Sequence, residues 1–421
     1  MENKPVVTFH TLGCKLNRAE TELLANQFAE AGFCVAGEGN ADVCILNTCT
    51  VTHIADRKSR HLLRLLRKKN PKAFIVATGC YAERAPHDLS DVGVDLVVSN
   101  EQKMSIPELV MRGLEAHPIC PDSDREMDNP FRVRSFVKIQ DGCDDFCAYC
   151  IVPLVRRQEF CLSAEDIVAT VKDKVAAGYN EVVLTGTKIG AYHHGGVDLS
   201  QLIERILQET GVPRLHLSSL QPQEISGDLL GLWRDSRLCR HFHVALQSGS
   251  DAVLKRMKRR YSLADYARAI ALIREIVPEV AITTDIMVGF PGESDAEFEE
   301  SYRFCQDTGF ADIHVFSYSS RPATRASEMK GQVHEKVKKE RSLRMLALAK
   351  DSARNFQERF QGRTMSVLWE TGVHSGSGLS SGLTDNYIRV YAQSNQRLSN
   401  TISPAKLVKP YDEGLWGELI S

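Results

Sequence analysis

The segment Lys138-Ile-Gln-Asp-Gly-Cys143-Asp-Asp-Phe-Cys147-Ala-Tyr149-Cys150 decides how the chain is read. Its three cysteines, spaced C-x3-C-x2-C, follow directly on an apolar, strand-like run from Ser135 to Ile139. Three thiolates on one cubane iron-sulfur cluster leave the fourth iron without a protein ligand, open to a substrate or a second cofactor. The rival reading is a structural zinc site, which is closed by four ligands, usually as two separated pairs. No second pair and no C-x2-C with a following H-x3-H accompanies this segment. A ferredoxin-type carrier would add a fourth cysteine followed by Pro, and the segment has none.

Upstream, three further cysteines share one setting. Residues 5 to 12 read as a strand ending near Gly13-Cys14, Val43 to Leu46 as a strand leading to Cys49, and Ala73 to Ala77 as a strand leading to Gly79-Cys80. Parallel α/β sheets bring the carboxyl ends of their strands to one edge, where such folds place ligands. Cys14, Cys49 and Cys80 are therefore expected to meet in a shared metal site. Between the second and third strands, Asp56 to Lys69 reads as a helix with Arg60, Arg64, Arg67 and Lys68 at spacings of three and four. That spacing makes one face cationic, either a solvated surface or a grip on RNA phosphates.

Downstream, a polar stretch from His117 to Arg132 reads as a linker. Strand and helix patterns then alternate over about 133 to 355, with strands at Phe136 to Ile139, Glu181 to Leu184, Arg214 to Leu217, His243 to Leu246, Ala281 to Val288 and Asp312 to Phe316. Six such units imply a parallel, open, partial barrel related to the (β/α)8 type, with its chemistry at the carboxyl ends of the strands. Thr185 and Gly186, Gln247 and Ser248, and Asp285 stand at those ends and suit the ribose, amine or carboxylate of a small polar cofactor. Past a charged helix from about Val333 to Phe360, short strands at Thr364 to Glu370, Tyr387 to Ala392 and Thr401 to Val408 predict a small β-barrel of the kind that often binds RNA.

Composition sets the frame. The 421 residues are 43% hydrophobic and 25% charged, globular values for a chain of two or three domains, and the net charge of -2 shows no global basic excess. The amino terminus has no apolar leader, and no run of eighteen apolar residues occurs, so no membrane association and a reducing, cytoplasmic setting are expected. There, clustered cysteines favour metal ligation over disulfides. Cys34, Cys44, Cys120, Cys161, Cys239 and Cys305 read as small buried hydrophobes.

The C-x3-C-x2-C run, with Tyr149 before its last cysteine, resembles the signature of radical S-adenosylmethionine (SAM) enzymes. In that family the open iron chelates SAM, whose reductive cleavage yields a 5′-deoxyadenosyl radical. The resemblance implies Tyr149, Thr185, Gly186, Gln247, Ser248 and Asp285 as cofactor contacts. The two cysteine triads with a terminal β-barrel are similar, over essentially the whole chain, to the methylthiotransferase branch of that family. This resemblance implies three parts: an N-terminal α/β methylthiotransferase domain (1–118), a partial (β/α)6 TIM-like radical core (130–357) and a C-terminal all-β TRAM barrel (358–421) that grips RNA. It implies two [4Fe-4S] clusters, the auxiliary one on Cys14, Cys49 and Cys80, SAM as both methyl donor and radical source, and an electron donor of flavodoxin or ferredoxin type.

Thr11-Leu-Gly-Cys14-Lys15-Leu-Asn17 and Leu383-Thr-Asp-Asn386-Tyr387 resemble the subgroup that methylthiolates N6-threonylcarbamoyladenosine at position 37 of the tRNA anticodon loop. Sister subgroups act on isopentenyladenosine or on a ribosomal-protein aspartate. One segment departs from the branch: Pro153-Leu-Val-Arg156-Arg157-Gln-Glu-Phe-Cys161-Leu162 keeps Arg156 but replaces a Gly, a Ser and a final Arg. A non-catalytic iron-sulfur RNA sensor is the reading that this departure would favour.

Overall fold

The computed structural model describes residues 4–37, 39–116, 133–370 and 378–420. The expected linker and Cys120 lie outside them. The chain divides into two compact units. Of the described residues, one unit comprises those up to 116 with Asp141–Phe160 and Ser319–Ser327, and the other comprises those of 133–140, Cys161–Tyr318 and those from Glu328 onward. The cysteine loop 143–150 thus packs in the same unit as Cys14, Cys49 and Cys80.

The first unit is built on a parallel sheet of five strands in the order Cys34–Ala36, Val6–Thr11, Val43–Thr48, Phe74–Gly79, Leu96–Val97. Val43–Thr48 is buried at all six positions, as a central parallel strand covered on both faces must be. The order reverses between Val6–Thr11 and Val43–Thr48, and the crevice at such a switch point is where open α/β sheets bind ligands. The helix His53–Lys69 starts at Thr52, whose hydroxyl accepts a hydrogen bond from the Ala55 amide at 3.1 Å. Its last turn carries Arg67, Lys68 and Lys69, favourably placed at the negative end of the helix dipole.

The second unit holds six principal parallel strands in two sheets. Arg134–Lys138, Glu181–Thr185 and Arg214–Leu217 form one; His241–Val244, Ala281–Val288 and Asp312–Ser317 form the other, with the short Ser219–Leu220 at its edge. The helices between them begin at capping Ser163, Asp198, Ser262 and Ser294, each accepting a hydrogen bond from a backbone amide of its first turn. Their apolar faces and the strands enclose one large core. This is the expected partial (β/α)6 barrel.

At the carboxyl terminus, Thr364–Trp369, Leu379–Thr384, Arg389–Gln393, Gly414–Leu419 and Ile402–Tyr411 close into a barrel in that order. Two of the five strands were not expected from sequence. Leu-Ser-Ser-Gly-Leu-Thr and Gly-Leu-Trp-Gly-Glu-Leu lack the alternation that marks a strand, and their pairing partners set their conformation.

The small barrel is fastened to the amino-terminal ends of the parallel strands. Arg214 donates to the carbonyls of Leu383 (3.0 Å) and Ser366 (2.7 Å), and Arg240 pairs with Asp385 at 2.6 Å. Tyr387 hydrogen-bonds Glu181 and lies 2.8 Å from His216 Nδ1, while Arg134 reaches Glu181 at 2.9 Å and Glu370 at 2.8 Å. Burial pushes the Tyr387 phenol well up, so it acts as a neutral donor. Its φ of +63° costs a non-glycine residue about 1 kcal/mol, which these bonds offset. Tyr387→Phe is expected to cost about 1–3 kcal/mol, because Glu181 and His216 stay buried with one partner fewer. A denaturant titration reads this as a lowered midpoint.

Candidate iron-sulfur and cofactor sites

Cys14 follows Val6–Thr11, Cys49 follows Val43–Thr48, and Cys80 opens the short helix Cys80–Arg84 directly after Phe74–Gly79. Gly13, at φ +98°, lets the Cys14 loop lie against Cys49: a Cβ there would stand 2.8 Å from both Cβ and Sγ of Cys49. Gly79, at φ +94°, passes so close to Thr48 that a Cβ would sit 2.5 Å from its carbonyl oxygen. Neither position accepts a side chain, so the three loops converge because two glycines permit it.

The thiols sense one another. Burial pushes Cys49 up to about 12, and Cys80 and Cys14 add in the same direction. Cys14 presents surface to solvent while its sulfur is crowded by protein atoms; burial first and then Cys80 raise it as well. Soft sulfur donors gathered in a partly dry site are the donor set an iron-sulfur cluster takes up as thiolates. The arrangement fits the auxiliary cluster.

The second triad is a tight loop. The Asp145 amide approaches Cys143 Sγ at 3.4 Å, the Cys147 amide donates to the Asp145 carbonyl at 2.8 Å, and the Cys150 amide donates to the Cys147 carbonyl at 3.1 Å. Cys143, Cys147 and Cys150 are all partly accessible, as a loop that receives a cluster requires. Tyr149 is half-buried beside them. Cys80 packs against Ile151 and Val155, directly after Cys150, so the two triads are neighbours within the unit.

Arg156 joins their supporting loops. Its guanidinium, buried, donates to Glu20 Oε1 and Asp141 Oδ1, each at 2.8 Å, and to Asn17 Oδ1 at 3.0 Å. Burial works against its charge, yet Glu20 and the other anionic neighbours hold it well above the ordinary arginine range. Lys103 closes on Glu20 from the other side. Asn17 also donates to the carbonyls of Leu12 (2.8 Å) and Thr48 (3.0 Å), tying the loops that follow two cysteine-bearing strands. Arg156→Met would take the guanidinium from the Glu20 and Asp141 carboxylates, leaving Lys103 on Glu20, and breaking a buried pair this way costs about 3–5 kcal/mol. Arg156→Lys should not rescue it, since one ammonium cannot reproduce the forked contact. Thermal unfolding of the three proteins checks both statements.

The expected cofactor residues of the second unit occupy strand ends. Thr185 is buried and its carbonyl accepts from the Ile139 amide at 2.9 Å. At Gly186 a Cβ would meet the Gln140 carbonyl oxygen at 2.7 Å, and Gln140 Oε1 accepts from the Lys188 amide at 2.8 Å. Gln247, at φ +71°, is bridged to the Ala281–Val288 strand through the Asp285 carbonyl and the Met287 amide. The Ser248 hydroxyl is fully buried, 3.2 Å from that of Ser301, and so holds a helix in place. Asp285 lies between His243 (3.2 Å) and His314 (3.3 Å). Burial raises its carboxyl, but the two histidine hydrogen bonds outweigh this and leave it well below the usual range, an anion facing the barrel interior's polar chain His243, Thr283, His241.

Of the expected RNA residues, Arg60 stacks over Tyr81, Arg64 and Lys68 are exposed, and Arg67 turns inward. Arg67 donates to the carbonyls of Gly93 (3.0 Å) and Ala73 (2.8 Å) and pairs with Asp95, so it braces its own sheet. Cys44, Cys239 and Cys305 are buried as expected, and Cys34 and Cys161 are partly so. Sequence reasoning missed Glu20, Lys103 and Arg321. Their partners lie far away in the chain, and only Arg321, after the last barrel strand, stands at a predicted strand end.

Comparison with known proteins bears on this architecture. Residues 137–305 match the model of the radical SAM superfamily, and residues 6–99 match that of the uncharacterized protein family UPF0004. The threonylcarbamoyladenosine tRNA methylthiotransferase MtaB of Bacillus subtilis is 36% identical over 97% of this chain and 95% of its own. That of Aquifex aeolicus is 37% identical over 91% and 96%. The tRNA-2-methylthio-N(6)-dimethylallyladenosine synthase of Thermodesulfovibrio yellowstonii is 29% identical over 99% of both chains. Among solved structures, the radical SAM methyltransferase TsrM of Kitasatospora setae aligns with a TM-score of 0.56 over 77% of each chain at 13% identity, a likeness of fold.

Barrel and cysteine loops thus define a radical SAM enzyme that carries [4Fe-4S] clusters. The chain belongs to the radical SAM methylthiotransferase family.

Proposed function

We propose that this chain converts N6-threonylcarbamoyladenosine at position 37 of tRNA to its 2-methylthio derivative. The observation that carries the reading is the pairing of two thiol triads, one at the switch point of the parallel sheet and one in the loop 143–150, within a single compact unit. Its support is the identity of 36% and 37% to the two methylthiotransferases above over nearly the whole chain. When bound, the clusters and SAM supply the radical and the sulfur that acid-base chemistry has no means to deliver to an unactivated ring carbon.

The chain's own residues provide the frame. Cys143, Cys147 and Cys150 would hold the cluster that binds SAM, and Cys14, Cys49 and Cys80 would hold the other. Arg156 and Asn17 fix the distance between the loops. Thr185, Gly186, Gln247 and Asp285 line the strand ends for the cofactor; Asp285, kept anionic, suits an amine or ribose hydroxyl. Arg60, Arg64 and Lys68 present charge to tRNA phosphates, and the closed terminal barrel offers a second RNA surface. Among the described residues no helix is long and apolar enough to cross a membrane. The setting is cytoplasmic, with electrons from a flavodoxin- or ferredoxin-type donor.

The test is an anaerobic assay of the cluster-loaded, reduced protein with SAM and tRNA carrying either threonylcarbamoyladenosine or dimethylallyladenosine. The expected product is the 2-methylthio form of the first. Product from the second alone would transfer the reading to the sister subgroup, and product from neither would refute it.

A further inference from the structure

One cavity of the first unit is not used by the cluster and cofactor sites above, and of the RNA-facing residues only Arg60 reaches its wall. It encloses about 480 Å³ beside the auxiliary-cluster loops, and its walls carry Arg57, Arg60, Arg84 and Arg321. Arg57 and Arg60 stand on the helix His53–Lys69 that follows Cys49, and Arg84 ends the helix that Cys80 begins. Ser59 of the same helix donates to the Cys49 carbonyl at 3.4 Å, so this wall is continuous with a cysteine loop.

The charges do not cancel. Four guanidinium groups face two carboxylates, Asp56 and Asp88. Asp56 is already consumed: Thr50 donates to one oxygen at 2.6 Å, and Arg84 (3.1 Å) and Arg321 (2.6 Å) donate to the other. Arg321 is 1% exposed, and its Nε and Nη1 have no hydrogen-bond partner. Arg57 is exposed and makes no ion pair among the described residues. A buried guanidinium with two idle donors, backed by further arginines around a cavity, is half of a forked hydrogen-bond pair. A planar or tetrahedral oxyanion completes it.

We propose that this cavity, whose walls continue from the Cys49 and Cys80 loops, receives one oxyanion of the RNA substrate. The inference rests on the function proposed above. The oxyanion has two possible sources of the same chemistry: the free carboxylate of a threonylcarbamoyl group, or a backbone phosphate beside the modified base. A dimethylallyl group carries no charge, so a carboxylate in this cavity would also select between the two kinds of modified adenosine.

The experiment measures binding by the cluster-loaded protein and its Arg57→Gln/Arg60→Gln variant, which leaves the Asp56, Arg84 and Arg321 contacts in place. The ligands are three anticodon stem-loops of one sequence, carrying adenosine, threonylcarbamoyladenosine or dimethylallyladenosine, each titrated at several salt concentrations. If the carboxylate binds, the wild type prefers the threonylcarbamoyl stem-loop, and the variant loses about tenfold to a hundredfold in affinity for that ligand alone. If a phosphate binds, all three ligands weaken alike and the salt slope falls by about one. Unchanged affinities and slopes for all three would overturn the proposal. Iron content and circular dichroism confirm that the variant is folded; should it not be, Arg57→Gln alone, at an exposed position, is read in the same way. A wild-type enzyme that makes product, with a variant that binds normally, refutes the cavity and spares the function. A wild type that makes no product refutes the function itself.

Discussion

Alanine at Cys14, Cys49 or Cys80 is expected to abolish methylthiolation while leaving reductive cleavage of SAM in place. The three thiols follow neighbouring strands of the first sheet, and in the function proposed above each would supply a third of the protein ligation of one cluster. Removing one leaves two soft donors for a cluster that needs three, so about half of the protein's iron should be lost. The loop 143–150 keeps its own amide and sulfur contacts and should keep its cluster. The expected readings are therefore halved iron, 5′-deoxyadenosine still formed with dithionite, and no methylthio nucleoside. A variant that retains full iron content would mean that these cysteines are not the ligands.

Alanine at Cys147 is expected to have the larger effect, because both chemistries depend on its loop. Cys147 stands at the centre of the C-x3-C-x2-C run, with its amide and carbonyl closing the turns to Asp145 and Cys150. Without its sulfur the site for SAM is lost, so 5′-deoxyadenosine and methylthio product should both fall below detection. Iron should again fall by about half, the auxiliary triad being intact. Formation of 5′-deoxyadenosine by this variant would contradict the assignment of the loop.

Much of this was legible because it is local. The cysteine spacing, the cysteines beyond strand ends and the strand-helix alternation depend on neighbours in sequence, and each is found in the structure. What sequence did not reveal depends on distant partners. Arg156 meets Glu20 across 136 positions, and Arg321 meets Asp56 across 265. No periodicity announces such pairs, since the topology brings them together. The basic helix shows the same limit from the other side. Arg67 shares the spacing of Arg64 and Lys68, but Asp95 and nearby carbonyls draw it inward, a contact set by the following strands. In the terminal barrel, Leu379–Thr384 and Gly414–Leu419 are strands because closure pairs them, against weak intrinsic preference. The altered segment after Arg156 raised the prospect of lost activity, yet Arg156 itself makes the buried contacts that join both cysteine loops.

The central claim is that this chain places a methylthio group on threonylcarbamoyladenosine in tRNA. Its most direct test is mass spectrometry of digested tRNA nucleosides from cells with the gene, without it, and with it restored, in a strain holding no second copy. The account predicts that 2-methylthio-threonylcarbamoyladenosine disappears on deletion, that threonylcarbamoyladenosine rises in its place, and that both return to normal on restoration. An unchanged nucleoside profile would contradict it.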